Sequence, residues 1–559
     1  MRALLGWTLA LGLIVTPALA RPDGAGGNAE AADSTAAASN DAPASDAASA
    51  ANEGPATPSS SVASEASVSM PADSALPPSP AAAPAAADSS SQPPAARPEP
   101  QTASEPNSPI SFKIGGADFT PVGFMDLTNV FRTKTVGSGI GTNFASAPFS
   151  GVGGSYPNAA LTEDRFSAQN SRIGLRVDSN VAGGKVLGYV EADFLGNAAG
   201  SLSITSNSDT LRLRLYFVDY RRGMFEFLAG QDWSMLTPSR VGIDPMPSGI
   251  FYSQDMDTNY QVGLVWERTP QFRFIFHPNN VVTFGFSMEN PDQYLGGNGG
   301  VGIPVTPSAF NLTQVDTGAG SGVSTPNVRP DIVAKLAFDP KIGGRLFHID
   351  IAGVSRQFRV ASFFPATATT AASTVSSGAE GGGGSININF ELFKNFHLIE
   401  NAFWSSGGGR DIFDLVPDFI VTPQPAGGSF GISPLKAGSG IAGFEWQAVP
   451  KTMIYGYYGT VYAGRDVSLQ PATGSTCQGH VGFSCLGYGF TGSANSNNRT
   501  IQEGTIGWIQ TLWKSNNYGA LQIITQASYL QRNPWYVAPN NSKSAQLVMG
   551  FVDVRYVLP

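Results

Sequence analysis

From residue 109 onward, apolar and polar residues alternate with a period of two over short stretches. SRIGLRVD places Ile173, Leu175 and Val177 on one face and Arg172, Gly174, Arg176 and Asp178 on the other, and GYVEADF sets Val190, Ala192 and Phe194 against Tyr189, Glu191 and Asp193. DIVAKLAFD and SININFEL repeat the pattern, with Ile332, Ala334, Leu336 and Phe338 on one apolar face and Ile386, Ile388, Phe390 and Leu392 on another. Such alternation predicts strands with one apolar and one polar face. No helical period interrupts it, so the predicted class is all-β.

The connections sort by length. Short turns are predicted at 220–223, 339–344, 393–396 and 449–452, and long Gly/Ser/Thr/Asn/Pro-rich loops at roughly 134–165, 295–328, 362–384, 405–440 and 465–498. Short turns at one end and long loops at the other characterise a transmembrane antiparallel up-and-down β-barrel. About 450 residues allow 16 strands of some ten residues with their connections, and 18 strands also fit. Trp446, Tyr455, Tyr457, Tyr458, Tyr462, Trp508, Trp513, Tyr529 and Trp535 fall near predicted strand ends, where rings can sit at the two lipid interfaces.

DTLRLRLYFVDY tests this reading. Simple alternation points Leu211, Leu213, Leu215 and Phe217 one way and Arg212, Arg214 and Tyr216 the other. An arginine facing lipid at mid-depth costs about 2–4 kcal/mol, whereas one facing a water-filled lumen costs little. Arg212 and Arg214 therefore report the inside of a pore. They either pair with Glu191 and Asp193 of the preceding strand as a structural ladder or orient passing solutes, and the two roles are compatible. SAQLVMGFVDVRYVLP is an amphipathic strand of the kind that barrel-assembly machinery reads, although it ends in Leu558-Pro559 where that signal usually has Phe.

Composition changes the picture at the N-terminus. Residues 1–20, MRALLGWTLALGLIVTPALA, read as a signal peptide with an Ala-Leu-Ala cleavage site. Residues 21–108 consist mostly of Ala, Ser, Pro, Asp and Glu, without one aromatic residue, and read as a disordered periplasmic linker. Residues 109–559 are then the barrel domain. The linker holds 11 of the 42 acidic residues and 2 of the 33 basic ones, and the signal peptide one more basic residue, so the barrel carries 30 basic against 31 acidic. A near-neutral body gives no support for a nucleic-acid partner. The linker is long enough to approach the cell wall, which keeps a structural anchor or adhesin as the alternative function.

Little else carries chemistry. Cys477 and Cys485 in TCQGHVGFSCLGYG suit a disulfide in an exported protein, and with His480 they make an incomplete zinc set, so no metal and no cofactor is expected. A barrel enzyme, the further rival, needs a histidine beside a serine or an acidic pair at one rim. None of His277, His348, His397 and His480 is followed two residues later by Ser, and His348 alternates with Asp350 as a lumen pairing would. GGSFG at 427–431 lacks a strand–helix frame and GNGGVG at 297–302 lacks a βαβ unit.

SRIGLRVDS, GKVLGYVEADFLG, DTLRLRLYFVDY and FLAGQDWSML, within residues 165–240, together resemble bacterial outer-membrane porins and in particular the DcaP-like trimeric family. The resemblance implies a 16-stranded barrel, a homotrimer in outer-membrane lipid, and passive uptake of small hydrophilic solutes, among them dicarboxylate-like anions. By position it marks Arg172, Arg176, Arg212 and Arg214 as pore-lining, with Glu191 and Asp193 opposite. Unlike that family, the segment before the barrel shows no heptads. Residues 234–260 are the expected constriction loop, folded into the lumen.

Overall fold

A chain of alternating strands can hide every backbone amide from lipid only if the sheet closes on itself. The computed structural model describes residues 108–196, 200–202, 206–251, 254–317 and 325–559; the expected signal peptide, and the expected linker up to residue 107, lie outside the described residues. Sixteen antiparallel strands form one closed barrel. They are β1 (Ala117–Arg132), β2 (Arg172–Val181), β3 (Gly184–Asp193), β4 (Arg212–Arg222), β5 (Phe225–Trp233), β6 (Arg268–Phe276), β7 (Val282–Glu289) and β8 (Asp331–Phe338). The other half comprises β9 (Arg345–Phe364), β10 (Ser373–Phe393), β11 (Phe396–Ser406), β12 (Lys436–Val449), β13 (Thr452–Ala463), β14 (Asn498–Ser515), β15 (Gly519–Pro534) and β16 (Ala545–Val557). Each strand pairs with the next, and β16 returns to β1 in a register running from Phe124 opposite Val557 to Arg132 opposite Met549.

Burial is inverted relative to a water-soluble protein. Met125, Leu127, Ile173, Leu213, Phe272 and Val552 are exposed on the outer wall, while Asp126, Arg172, Glu191, Lys335, Asp350 and Glu503 are buried inside. Lipid covers the first set and the lumen holds the second, so this is a transmembrane barrel. Short turns join β2 to β3, β4 to β5, β10 to β11, β12 to β13 and β14 to β15, and the long loops gather at the opposite end. Two of those loops form hairpins of their own, Phe419–Thr422 with Gly431–Pro434 and Asp466–Cys477 with His480–Tyr488. In the second, Cys477 and Cys485 are disulfide-bonded with their Cα atoms 5.1 Å apart.

Three expectations need correction. Residues 362–384 are almost entirely strand, because β9 and β10 continue pairing from Gly353 opposite Gly384 to Phe364 opposite Ser373. A ladder of backbone hydrogen bonds needs no apolar side chains once it leaves the membrane, so a Gly/Ser-rich composition does not end it. Tyr455 and Tyr457 sit inside the lumen rather than at a lipid interface, and their hydroxyls bond Gln526 (3.0 Å) and Glu445 (2.9 Å). The third correction concerns DTLRLRLYFVDY.

In β4 the alternation breaks at a β-bulge. Glu191 of β3 lies opposite Leu215 and Ala192 opposite Leu213, leaving Arg214 as the extra residue. Before the bulge, Leu213 faces out and Arg214 in; after it, Leu215 and Phe217 are buried inside while Tyr216 and Val218 face lipid. The Gln231 side-chain amide donates to the Arg214 carbonyl at 2.8 Å and fixes the distortion. Gly230, opposite Phe217, has φ 141°, and a side chain there would strike the Tyr216 carbonyl.

The bulge makes a prediction that separates the two registers. Tyr216→Arg places a guanidinium against the hydrocarbon and should lower stability by about 2–4 kcal/mol, measured by refolding into lipid vesicles across a denaturant series. Strict alternation would turn Tyr216 to water, and the substitution would then cost almost nothing.

Candidate functional site

Inside the barrel the decisive element is the segment 234–267 between β5 and β6. Its described residues, 234–251 and 254–267, fold into the lumen, where 234–260 was expected to fold, and are tied along most of the wall. The Met235 amide donates to Glu289 of β7 (2.9 Å), the Lys335 ammonium of β8 donates to the Thr237 carbonyl (2.7 Å), and the Ser239 amide donates to Asp350 of β9 (2.9 Å). Asn387 of β10 donates to the Ser239 carbonyl (2.8 Å), and Arg240 forks onto Glu445 of β12 with two 2.9 Å bonds. Further on, the Gln254 amide reaches Tyr457 of β13 (3.1 Å), Met256 reaches Gln526 of β15 (2.7 Å) and Val262 reaches Glu503 of β14 (3.0 Å). Each anchor is a polar residue from the inward face of a strand. The alternation that turns apolar residues to lipid thus supplies the loop's partners.

Against the remaining wall, β2 to β5, lies a cluster of charges. Arg214 donates to Glu191 (2.6 Å) and Asp193 (2.9 Å), and Arg212 forks onto Asp193 with bonds of 3.0 and 2.7 Å. Arg172 lies 3.9 Å from Glu191 and donates to the Tyr260 hydroxyl at 3.4 Å, where Arg214 also donates at 3.2 Å. Five of the six residues proposed to line the pore, Arg172, Glu191, Asp193, Arg212 and Arg214, thus converge. Arg176 does not join them; it forks onto Asp178 of its own strand at 2.7 and 2.9 Å. The cross-strand ladder is therefore present, and the bulge aims Arg214 at its centre.

Two members of the cluster were not singled out in the sequence. Tyr260, within the expected constriction loop, has φ 61°, a conformation that costs a bulky residue about 1–3 kcal/mol unless its surroundings hold it. Its ring lies 6.1 Å from Trp233 and 5.0 Å from Trp266, and its hydroxyl is held by the two arginines. Arg268, the first residue of β6, lies over the Trp233 ring at 5.5 Å and the Trp266 ring at 5.8 Å. It makes no ion pair among the described residues, and its Nη1 is buried without a hydrogen bond. Nothing in ERTPQFRFIF marks that arginine, because its environment is built by a tryptophan on each flanking segment.

The barrel's fold has a solved counterpart. The outer membrane channel DcaP of Acinetobacter baumannii matches with a TM-score of 0.54 at 15% identity, over 80% of this chain and 99% of that one. The fold is that of a DcaP-like barrel. The anion-selective porin from Comamonas acidovorans also matches, with a TM-score of 0.42 and 10% identity over 79% of this chain and 100% of that one. No family model and no curated protein matches the sequence.

In this DcaP-like barrel the histidines are all placed in pairings of the wall or on the surface. His348 sits between Asp339 (2.7 Å) and Asp350 (3.0 Å), His277 contacts Glu226 (2.9 Å) and His397 contacts Asn389 (2.9 Å). His480 lies exposed in the disulfide hairpin. At the charge cluster, four guanidiniums face two carboxylates, an excess of positive charge. Burial would raise the Tyr260 phenol, but the positive charges of Arg214, Arg172 and Arg268 outweigh it and bring it down to about 8.

A neutral phenol leaves the positive excess intact and a phenolate cancels part of it. Any anion preference measured by reversal potential in a salt gradient should therefore fall as pH rises from 7 to 9. Tyr260→Phe should make the preference flat over that interval.

Proposed function

We propose that this chain is an outer-membrane porin through which small hydrophilic solutes diffuse passively, with dicarboxylate-like anions favoured. The observation that carries the reading is the arginine excess beside the inward loop. Arg212, with 38% of its side chain exposed, and Arg268, without a carboxylate partner, offer positive charge beyond what Glu191 and Asp193 neutralise. A pore lined this way on one side and narrowed by the 234–267 segment concentrates anions electrostatically. Two spaced guanidiniums suit a solute with two carboxylates, each of which can take a forked pair of hydrogen bonds. Arg176, which lies apart from the cluster, is assigned to the pore wall with its charge already matched by Asp178.

The sorting of short turns and long loops supports a barrel whose short turns and N-terminal linker face the periplasm. A homotrimer is proposed on the resemblance to the DcaP-like family, and it is checked by the mass of the detergent-solubilised protein in light scattering. Among the described residues no group of Asp, Glu, His or Cys is arranged to hold a metal ion, and diffusion requires none.

Single-channel recording in planar lipid bilayers tests the proposal. The full-length protein should give stable conductance steps with a reversal potential on the anion side. Arg268→Gln and Arg212→Ala should each move that potential toward the cation side without changing the folded yield. Arg214→Ala should instead reduce folded yield, because it leaves Glu191 and Asp193 short of a buried partner, a loss of about 3–5 kcal/mol. Folded protein without steps would sink the porin reading.

A further inference from the structure

The outer wall is not uniformly covered with aliphatic residues. On β5, β6 and β7 the lipid-facing positions are phenylalanines: Phe225 and Phe227, Phe274 and Phe276, Phe284 and Phe286. Their rings contact across the strands, Phe225 with Phe276 at 5.3 Å, Phe227 with Phe274 at 5.0 Å and Phe276 with Phe284 at 6.5 Å. They leave between them a groove of about 490 Å³, within the size range of small-molecule sites. Tyr220 and Arg222 from the end of β4 line it at the short-turn rim, where Glu226 also borders it, a buried carboxylate already paired with Arg221 (3.7 Å) and His277 (2.9 Å). Arg222 is exposed, reaches over Gly183 of the neighbouring turn, and makes no ion pair or hydrogen bond among the described residues.

We propose that this groove binds an anionic phospholipid, one acyl chain lying along the phenylalanines and the phosphate on Arg222. An apolar trough opening on the hydrocarbon is filled by an acyl chain, and a free guanidinium at its mouth lies at headgroup level, where it favours a negative lipid over a zwitterionic one. Exposed lysines also mark other short turns, among them Lys185, Lys341, Lys394, Lys451 and Lys514. Arg222 is distinguished by the groove beneath it, which adds a shape for the chain to the charge for the headgroup. The proposal rests on the membrane reading of the barrel and is independent of what passes through the lumen.

Native mass spectrometry of the full-length protein in neutral detergent tests it. Offered equimolar phosphatidylglycerol and phosphatidylcholine with identical acyl chains, the protein should retain the anionic lipid about fivefold more, the preference expected of one basic residue at the interface. Arg222→Gln should bring the ratio to parity, whereas Lys394→Gln, on another short turn, should leave it unchanged. Phe274→Ala combined with Phe276→Ala should reduce retention of both lipids while conductance steps persist. Equal retention of the two lipids by the unaltered protein, a ratio that survives Arg222→Gln, or undiminished retention by the double phenylalanine variant overturns the proposal.

Discussion

Within hydrocarbon no water is available to a backbone amide, and the whole structure follows from that constraint. A sheet with a free edge would leave a row of unpaired N–H and C=O groups in lipid, so β16 must find β1, and it does so from Val557 to Met549. Closure then fixes two faces of opposite chemistry. Residues such as Leu127 and Val552 meet lipid, and Asp126 and Asp553 on the same strands turn inward. The inward set cannot be left dry and unpaired, and its demand for partners draws the 234–267 segment into the lumen. Glu289, Asp350 and Glu503 accept from its backbone amides, and Lys335 and Asn387 donate to its carbonyls.

The period of two was enough to read the barrel, because strands such as SRIGLRVD and DIVAKLAFD keep strict alternation through the membrane. It was not enough to read β4. A single inserted residue at Arg214 reverses every position after it, and the signal for the insertion lies on two other strands, in the pairing of Glu191 with Leu215 and in Gly230. For the same reason Tyr455 and Tyr457 read as interface aromatics: composition shows that a ring is near a strand end, and only the strand's tilt and register show which side it is on. The continuation of β9 and β10 through glycine and serine was hidden because it depends on backbone pairing alone.

The charge cluster divides along the same line. Arg172, Glu191, Asp193, Arg212 and Arg214 were legible because adjacent paired strands must bring their inward positions together. Arg176 fell outside because its own strand supplies Asp178. Tyr260 and Arg268 come from opposite ends of the inward segment's return to the wall and meet through Trp233 and Trp266. A contact of that kind depends on the path of more than thirty residues, which no local pattern records.

The tethering of 234–267 has a mechanical meaning. A hollow sheet cylinder resists bending poorly and can flatten into an ellipse with little change in its ladder of hydrogen bonds. Here a hub inside the cylinder is joined by short polar spokes to β7, β8, β9, β10, β12, β13, β14 and β15. Ovalisation would have to break several spokes at once. The bore is thereby held at one diameter against the lateral pressure of the bilayer.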